Sequence, residues 1–378
     1  MPLFATSECV RLWAELDKLD RGAIIEGAPG VGKSISVWAW ACHQAMHCNK
    51  LILWVHVDSA MFSSCALLSA TDCRLSNIED PKELMELMKS SEADVVIFDG
   101  YKSDLRYKNC ICALFPLPLF EKRKGIAVSS MAGGLQPENF GQISRKISFF
   151  SFAPWSLQSQ LEACANDEFF ASVQDKFEPY DSGLSQHAPA ATAGFPPDAV
   201  SEYAVRKARV EEKYYFAGAS ARWMFAYTIA EIKAAVERHM DKVSNFNMLL
   251  DEAQGYQAKE SYNHLLMRSK ESGKTETFFV SRYVLKRLLH ESRGRGDIQR
   301  AYDLAKRHAN PSFLGWVVEF DFVEQLYESS VHSPKIMNLY DTSLECLIVH
   351  FIRRKVTVQE FLAFRSIQDS NFMESRRL

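Results

Sequence analysis

The sequence predicts an α/β protein: a five-stranded parallel sheet followed by a helical lid and a mostly helical C-terminal region. Three observations predict it. Short apolar runs at residues 23–25, 51–57, 95–98, 125–130 and 146–152 have strand length and are separated by helical or loop segments, the alternation expected of a parallel, doubly wound sheet. The first run leads into a glycine-rich turn and then a stretch, 35–46, free of Gly and Pro. The third, four consecutive apolar residues, reads as a strand buried on both faces, and it ends on an acid, Asp99, at its carboxyl end.

Bulk properties bound the answer. The chain has 378 residues, 47% hydrophobic, 24% charged and 12% aromatic, enough for two or three domains with buried cores. A formal net charge of −3 excludes a wholesale polycation, so any nucleic-acid surface must be local. Nine scattered cysteines, an odd number without a spacing framework, read as reduced thiols inside a cell. Residues 1–19 hold no signal-peptide core, and no run of 18 apolar residues exists. The expectation is a soluble intracellular chain, nuclear or cytoplasmic, with no membrane partner.

Taken in order, residues 7–18 place Val10, Leu12, Trp13 and Leu16 at helical spacing, continued by Leu19. That helix is expected across the sheet edge or near a nucleotide base. The turn Gly27-Ala28-Pro29-Gly30-Val31-Gly32-Lys33-Ser34 matches G-x-x-x-x-G-K-[ST], a phosphate loop. Its chemistry needs backbone N–H groups that curl around phosphate oxygens, which favours residues without a Cβ. The following helix N-terminus adds partial positive charge, Lys33 a full one, and the Ser34 hydroxyl suits Mg²⁺.

The strand at 51–57 is followed by Asp58. Asp80-Pro81 opens a helix, with Asp80 as N-cap and Pro81 at N1. Asp94-Val95-Val96-Ile97-Phe98-Asp99 has the Walker B pattern, in which Asp99 holds the metal, usually through water. It lies 65 residues after Ser34, and the pair is far more specific than either half. The fold is therefore a P-loop NTPase sheet. Because the strand at 51–57 intervenes between the loop helix and the Asp99 strand, the arrangement resembles the branch including AAA+ and STAND ATPases. Ser129 or Ser130, polar at the end of the fourth strand, then takes the sensor-1 position.

Beyond Trp155 the periodicity is helical at Leu157, Leu161, Phe169 and Phe170. Residues 180–198 read as a flexible insertion rich in Pro, Gly and Ser, and 199–214 as a further helix. Tyr214-Tyr215-Phe216-Ala217-Gly218 and Arg222 suggest a helix start presenting an Arg to the nucleotide. Residues 261–308 carry eleven Lys or Arg against five Asp or Glu, with Phe278, Phe279, Tyr283 and Tyr302 interleaved. That composition fits a nucleic-acid or nuclear-partner surface, although a solvated helix face is the commoner explanation. Gly273-Lys274-Thr275 imitates a second phosphate loop but is not one, since position 268 is Arg and no strand is read before it. The divisions expected are 1–155 for the NTPase core, 156–240 for the lid and 241–378 for the α-rich C-terminal region.

The order of these pieces resembles the Crinkler-type and retrotransposon-hot-spot-type P-loop NTPases, relatives of AAA+ and STAND ATPases. The cues are the phosphate loop, Asp99-Gly100, Phe152-Ala153-Pro154-Trp155-Ser156, Gly218 with Arg222, and Asn310-Pro311-Ser312-Phe313 through Glu319. The resemblance implies ATP and Mg²⁺ as ligands, phosphate binding by residues 27–34, metal support by Ser34 and Asp99, and a sensor-2 role for Arg222. It also implies an effector or nuclear role; an effector would be secreted into a host cell by a targeting segment absent from this sequence. Glu319 matches the first acid of a nuclease-like module. After it no D…(E/Q)-x-K series follows, so a truncated or degenerate module is expected.

Gly100 stands where many AAA+ proteins carry the catalytic Glu, and Asp58 or Glu26 could substitute. The catalytic set expected is thus Lys33, Asp99, Asp58, Ser130 and Arg222, in a slow ATPase switch. The alternative is a nucleic-acid or partner binding module that uses ATP structurally. Arg106 or Arg145 could act as trans fingers in a homo-oligomeric ring.

Overall fold

The computed structural model describes residues 3–19, 22–57, 63–101, 110, 114, 123–130, 147–178, 202–243, 264–271, 274–292, 315 and 317. The chain divides into two compact units, Met1–Trp316 and Val317–Leu378; of the second only Val317 is described.

Helix α1 (Ser7–Asp17) is capped by Thr6, whose hydroxyl accepts from the Cys9 N–H, and buries Cys9, Leu12 and Leu16. It rests on the first turns of the loop helix, α2 (Lys33–Cys48), where the Trp13 indole donates to Ser36 O at 2.9 Å. Strand β1 (Gly22–Gly27) is buried at every position, flanked on both sides by parallel strands once the sheet forms. It is followed by β2 (Ile52–Val57), β3 (Ser63–Leu68), β4 (Cys73–Ile78), α3 (Pro81–Ser90), β5 (Val95–Tyr101), β6 (Lys124–Ser130) and β7 (Ile147–Ser151). Asp80 caps α3 by accepting from Lys82 N, with Pro81 at the first helical position, as its sequence dictates. Leu84 and Met88 on α3 join Leu53, Val55, Val96 and Phe98 in one core cluster. Full burial of a side chain such as Phe98 is worth about 2–3 kcal/mol.

The sheet has seven strands in the order β4-β3-β2-β5-β6-β1-β7, not five. The five expected strands pair in parallel, and β6 separates the loop strand β1 from the Asp99 strand β5, an arrangement consistent with a P-loop NTPase fold. The two additional strands form an antiparallel hairpin on the β2 edge, turned at Ser69–Asp72. Their sequence hides them: five of the six β4 residues are exposed, so no apolar run or alternation marks the strand.

After β7 come α4 (Leu157–Ala165), α5 (Asp167–Val173), α6 (Glu202–Ala217), α7 (Ala221–Ala226) and α8 (Ile229–Met240). Thr228 and Glu231 start α8 with a full capping box. The C-terminal region departs from the helical expectation. Strands β8 (Leu266–Glu271) and β9 (Lys274–Phe279) pair antiparallel before α9 (Arg282–Ser292). A strand therefore does precede Lys274-Thr275, but these two residues open the returning strand of a hairpin, opposite Glu271 and Lys270. The β-branched and aromatic residues Thr275, Thr277, Phe278 and Phe279 explain why this charged stretch is extended. Among the described residues no helix is long and apolar enough to cross a membrane.

Candidate functional site

The loop between β1 and α2 adopts the backbone its glycines allow. Gly30 and Gly32 have φ of 81° and 102°, in the left-handed region, and Gly32 is the N-cap of α2. A Cβ on Gly30 would also lie 2.6 Å from Ser220 Oγ and 3.1 Å from Arg222 Cβ, so the elbow before α7 sits directly on the loop. Two hydrogen bonds hold that contact. Arg222 N donates to Gly30 O at 2.9 Å, and the Trp155 indole donates to Val31 O at 2.8 Å. Trp155 in turn donates its backbone N–H to Ala219 O at 3.1 Å and stands edge-on to Phe225.

Lys33 is only 7% exposed, and its ammonium donates to Gly27 O at 2.8 Å and Ala28 O at 2.7 Å. Burial pulls it down to about 8; Arg222 pushes the same way, while Asp99 and Glu26 oppose. A buried cation held on carbonyls, with a second cation nearby, is a site that gains from an anion.

Next to it, the Ser34 hydroxyl donates to Asp99 Oδ1 at 2.8 Å, joining the start of α2 to the end of β5. Asp99 is 2% exposed. Its second oxygen, Oδ2, lies 2.8 Å from Nδ1 of His56, which stands opposite Asp99 in the β2–β5 register. Sequence reasoning passed over His56 for the acid two positions later. The available signal was a polar residue near the end of an otherwise apolar strand.

Gly100 has φ of 83° and coincides with a register shift between β5 and β6; a Cβ there would lie 2.7 Å from Val57 O. The backbone thus requires glycine where a catalytic Glu was looked for. Ser129 and Ser130 stand in register with Glu26 and Gly27. Ser129 is buried and its hydroxyl donates to Ser130 O at 3.0 Å, while Ser130 is half-buried. Glu26, at the end of β1, is 8% exposed.

A cavity of about 230 Å³ opens beside Pro29 and Gly30. Arg222, Arg238, Lys242, His239 and His264 all line it, and among the described residues no carboxylate does. The rings of His239 and His264 stack with centroids 4.3 Å apart. Burial, and then the neighbouring charges of Lys242 and Arg238, hold the His239 imidazolium below its ordinary range. His264 reaches this wall because Val280 O, at the end of the β8–β9 hairpin, accepts from Ala219 N at 3.0 Å beside the elbow.

The structure therefore brings Lys33, Ser34, Asp99 and Arg222 around one loop. Asp58, Arg106, Arg145, Glu319 and the 180–198 insertion lie outside the described residues. In the basic stretch, Arg287 is held by Glu237 through two hydrogen bonds of 2.9 Å, Arg268 is 9% exposed, and the Arg282 guanidinium stands 6.0 Å over Tyr215. Those cations are engaged within the fold.

No protein-family description and no curated protein matches the chain. Among solved structures, it is similar to the replication initiator DnaA bound to AMPPCP and single-stranded DNA, at 13% identity and a TM-score of 0.33, covering 92% of this chain and 91% of that one. AMPPCP-bound DnaA from Aquifex aeolicus is 12% identical with a TM-score of 0.31, over 87% and 92%. A signal transduction ATPase with numerous domains (STAND) from Pyrococcus horikoshii, with a tetratricopeptide repeat sensor, is 12% identical with a TM-score of 0.31; 94% of this chain spans 57% of that one. At such identities the chemistry is drawn from the residues of the site alone.

Proposed function

We propose that this chain binds ATP with Mg²⁺ on the loop between β1 and α2 and acts as a slow ATPase switch of the AAA+/STAND-like P-loop class. One observation carries the proposal: Ser34 and Asp99, 65 residues apart, meet at 2.8 Å at the loop, beside the buried ammonium of Lys33. A hydroxyl and a carboxylate are hard oxygen donors, and they fit Mg²⁺, which shares its other positions with phosphate oxygens and water. Ser34 and Asp99 are the residues that would hold it. Held there, the ion would supply neutralisation of the phosphates' negative charge.

The loop N–H groups and the α2 N-terminus take the phosphates, and Lys33 exchanges its two carbonyl partners for phosphate oxygens. Arg222, at the start of α7, supplies positive charge at the Pro29–Gly30 side. Ser130 orients the attacking water, whose in-line approach depends on positioning more than on covalent chemistry. Turnover is slow because position 100 cannot carry an acid; Glu26 or Asp58 is left to polarise the water.

The Crinkler-type and retrotransposon-hot-spot-type assignment, with an effector or nuclear role, rests on the sequence cues. Two of them, Trp155 and Arg222, are the residues that bond to the loop. Within 261–308, Arg268, Arg282 and Arg287 are engaged inside the fold while Lys286 is exposed, and a nucleic-acid or partner surface across the stretch is the alternative reading.

The test is nucleotide binding and turnover of the full chain beside Lys33→Ala, Asp58→Asn and Glu26→Gln. The expected result is ATP binding weakened at least about tenfold in Lys33→Ala and slow turnover reduced further in one of the carboxylate variants. Bound ATP with no turnover in wild type would refute the switch, and no ATP binding would refute the whole assignment.

A further inference from the structure

We infer that His56 is a positioning residue for the metal: it sets the orientation of Asp99 and so the strength with which the loop holds Mg²⁺ with the nucleotide. The inference rests on the nucleotide-binding function proposed above. The Asp99 carboxylate has two oxygens with two different partners. Oδ1 accepts from the Ser34 hydroxyl and Oδ2 from the His56 ring, each at 2.8 Å. Because a carboxylate only accepts, Nδ1 of His56 carries the hydrogen, which defines the ring's donor.

Hydrogen bonds to both oxygens of one carboxylate fix its plane; a bond to Ser34 alone would leave it free to turn about its own axis. A buried carboxylate at 2% exposure gains from this, since each unpaired lone pair there is costly. An outer residue that orients a metal-binding group commonly tunes metal affinity 10–100-fold.

One backbone feature sets the ring against Asp99. His56 is the direct register partner of Asp99 across β2 and β5, so the two side chains leave the sheet at the same level. Gly100 follows, where a Cβ would stand 3.5 Å from His56 Cε1 and 2.7 Å from Val57 O. A side chain at position 100 would thus clash with the Val57 carbonyl but make only ordinary van der Waals contact with the imidazole, so the ring's place is set by the register of β2 on β5. Residues 56 and 99 act as one device, the imidazole holding the carboxylate proposed to support the metal.

The test uses the full chain and a fluorescent ATP analogue titrated at graded Mg²⁺ concentrations and in EDTA, with Mn²⁺ binding followed by electron paramagnetic resonance. His56→Ala is compared with His56→Asn, whose side-chain amide can donate to Oδ2 from about the place of Nδ1. The expected result is a roughly tenfold or greater rise in the Mg²⁺ needed for half-saturation in His56→Ala. Affinity in EDTA should stay near wild type, thermal stability should fall only by what one unpaired carboxylate oxygen costs, and His56→Asn should recover most of both losses.

Unchanged Mg²⁺ and Mn²⁺ dependence in His56→Ala would overturn the inference while leaving the nucleotide site intact. So would an equal loss of affinity with and without metal, which marks a merely structural histidine. Wild type that binds no nucleotide under any condition overturns the underlying function, and the inference with it.

Discussion

Replacing Gly100 with alanine perturbs one backbone position whose cost can be worked from the geometry. The φ of 83° is in the left-handed region, where an L-residue costs about 1–2 kcal/mol relative to glycine. The new Cβ would also lie 2.7 Å from Val57 O, a backbone atom of a hydrogen-bonded strand that cannot rotate away. Overpacking of this kind adds about 1–3 kcal/mol. The total, roughly 2–5 kcal/mol, is a large part of a typical domain stability of about 5–15 kcal/mol. The assay is urea unfolding followed by tryptophan fluorescence, with Gly315→Ala as control because nothing lies within 4 Å of its added Cβ. Gly100→Ala should unfold at markedly lower urea, with Gly315→Ala within about 1 kcal/mol of wild type. Gly100→Glu, the change that would install the missing acid, should be at least as destabilised and no faster an ATPase. A Gly100→Ala midpoint equal to wild type would refute the claim that the backbone, and not the chemistry, dictates glycine here.

Other consequences follow from single groups. Lys33→Ala removes a charge-assisted contact to phosphate and should weaken ATP binding by about tenfold to a few hundredfold, measured by calorimetry. Trp155→Phe deletes the indole donor to Val31 O and should cost about 0.5–1.5 kcal/mol in unfolding free energy, with weaker nucleotide binding as the loop loosens. Lys213, 1% exposed, donates to Lys176 O at 2.6 Å, and burial lowers it to about 8 from an ordinary 10.5. Between those values the unfolded chain binds the proton and the folded chain does not, so its contribution to stability rises with pH from about 8 to 10.5. Relative to Lys213→Met, wild type should therefore gain up to about 3 kcal/mol across that window in pH-dependent urea unfolding. A difference independent of pH would show that the ammonium is not desolvated as the fold implies.

Local chemistry made much of this protein legible in advance. The phosphate loop is a contiguous run whose φ requirements, helix start and lysine are set within eight residues, and Asp80-Pro81 likewise writes its helix start in adjacent positions. The five parallel strands are readable because burial on both faces forces apolar runs. The β3–β4 hairpin is not, since β4 sits at the sheet edge with solvent on most of its residues. The β8–β9 hairpin was obscured by charge: Arg268, Lys270, Lys274 and Glu276 suggested a solvated helix face, and only the cross-strand pairing shows what they belong to.

What the sequence determined by itself is the glycine-rich loop, the acid that meets it and the class of sheet that carries both, because each is encoded by residues near one another in the chain. Tertiary structure decided how the site is completed. The register of β2 against β5 brought His56 to Asp99, and the elbow before α7 brought Arg222 and Trp155 onto the loop. It also turned Gly100 from a missing carboxylate into a backbone requirement, through a positive φ and the carbonyl of Val57. The physical reason is that spacing along the chain fixes only which residues share a helix or a strand, whereas contacts between strands depend on register, and register is settled when the whole core packs.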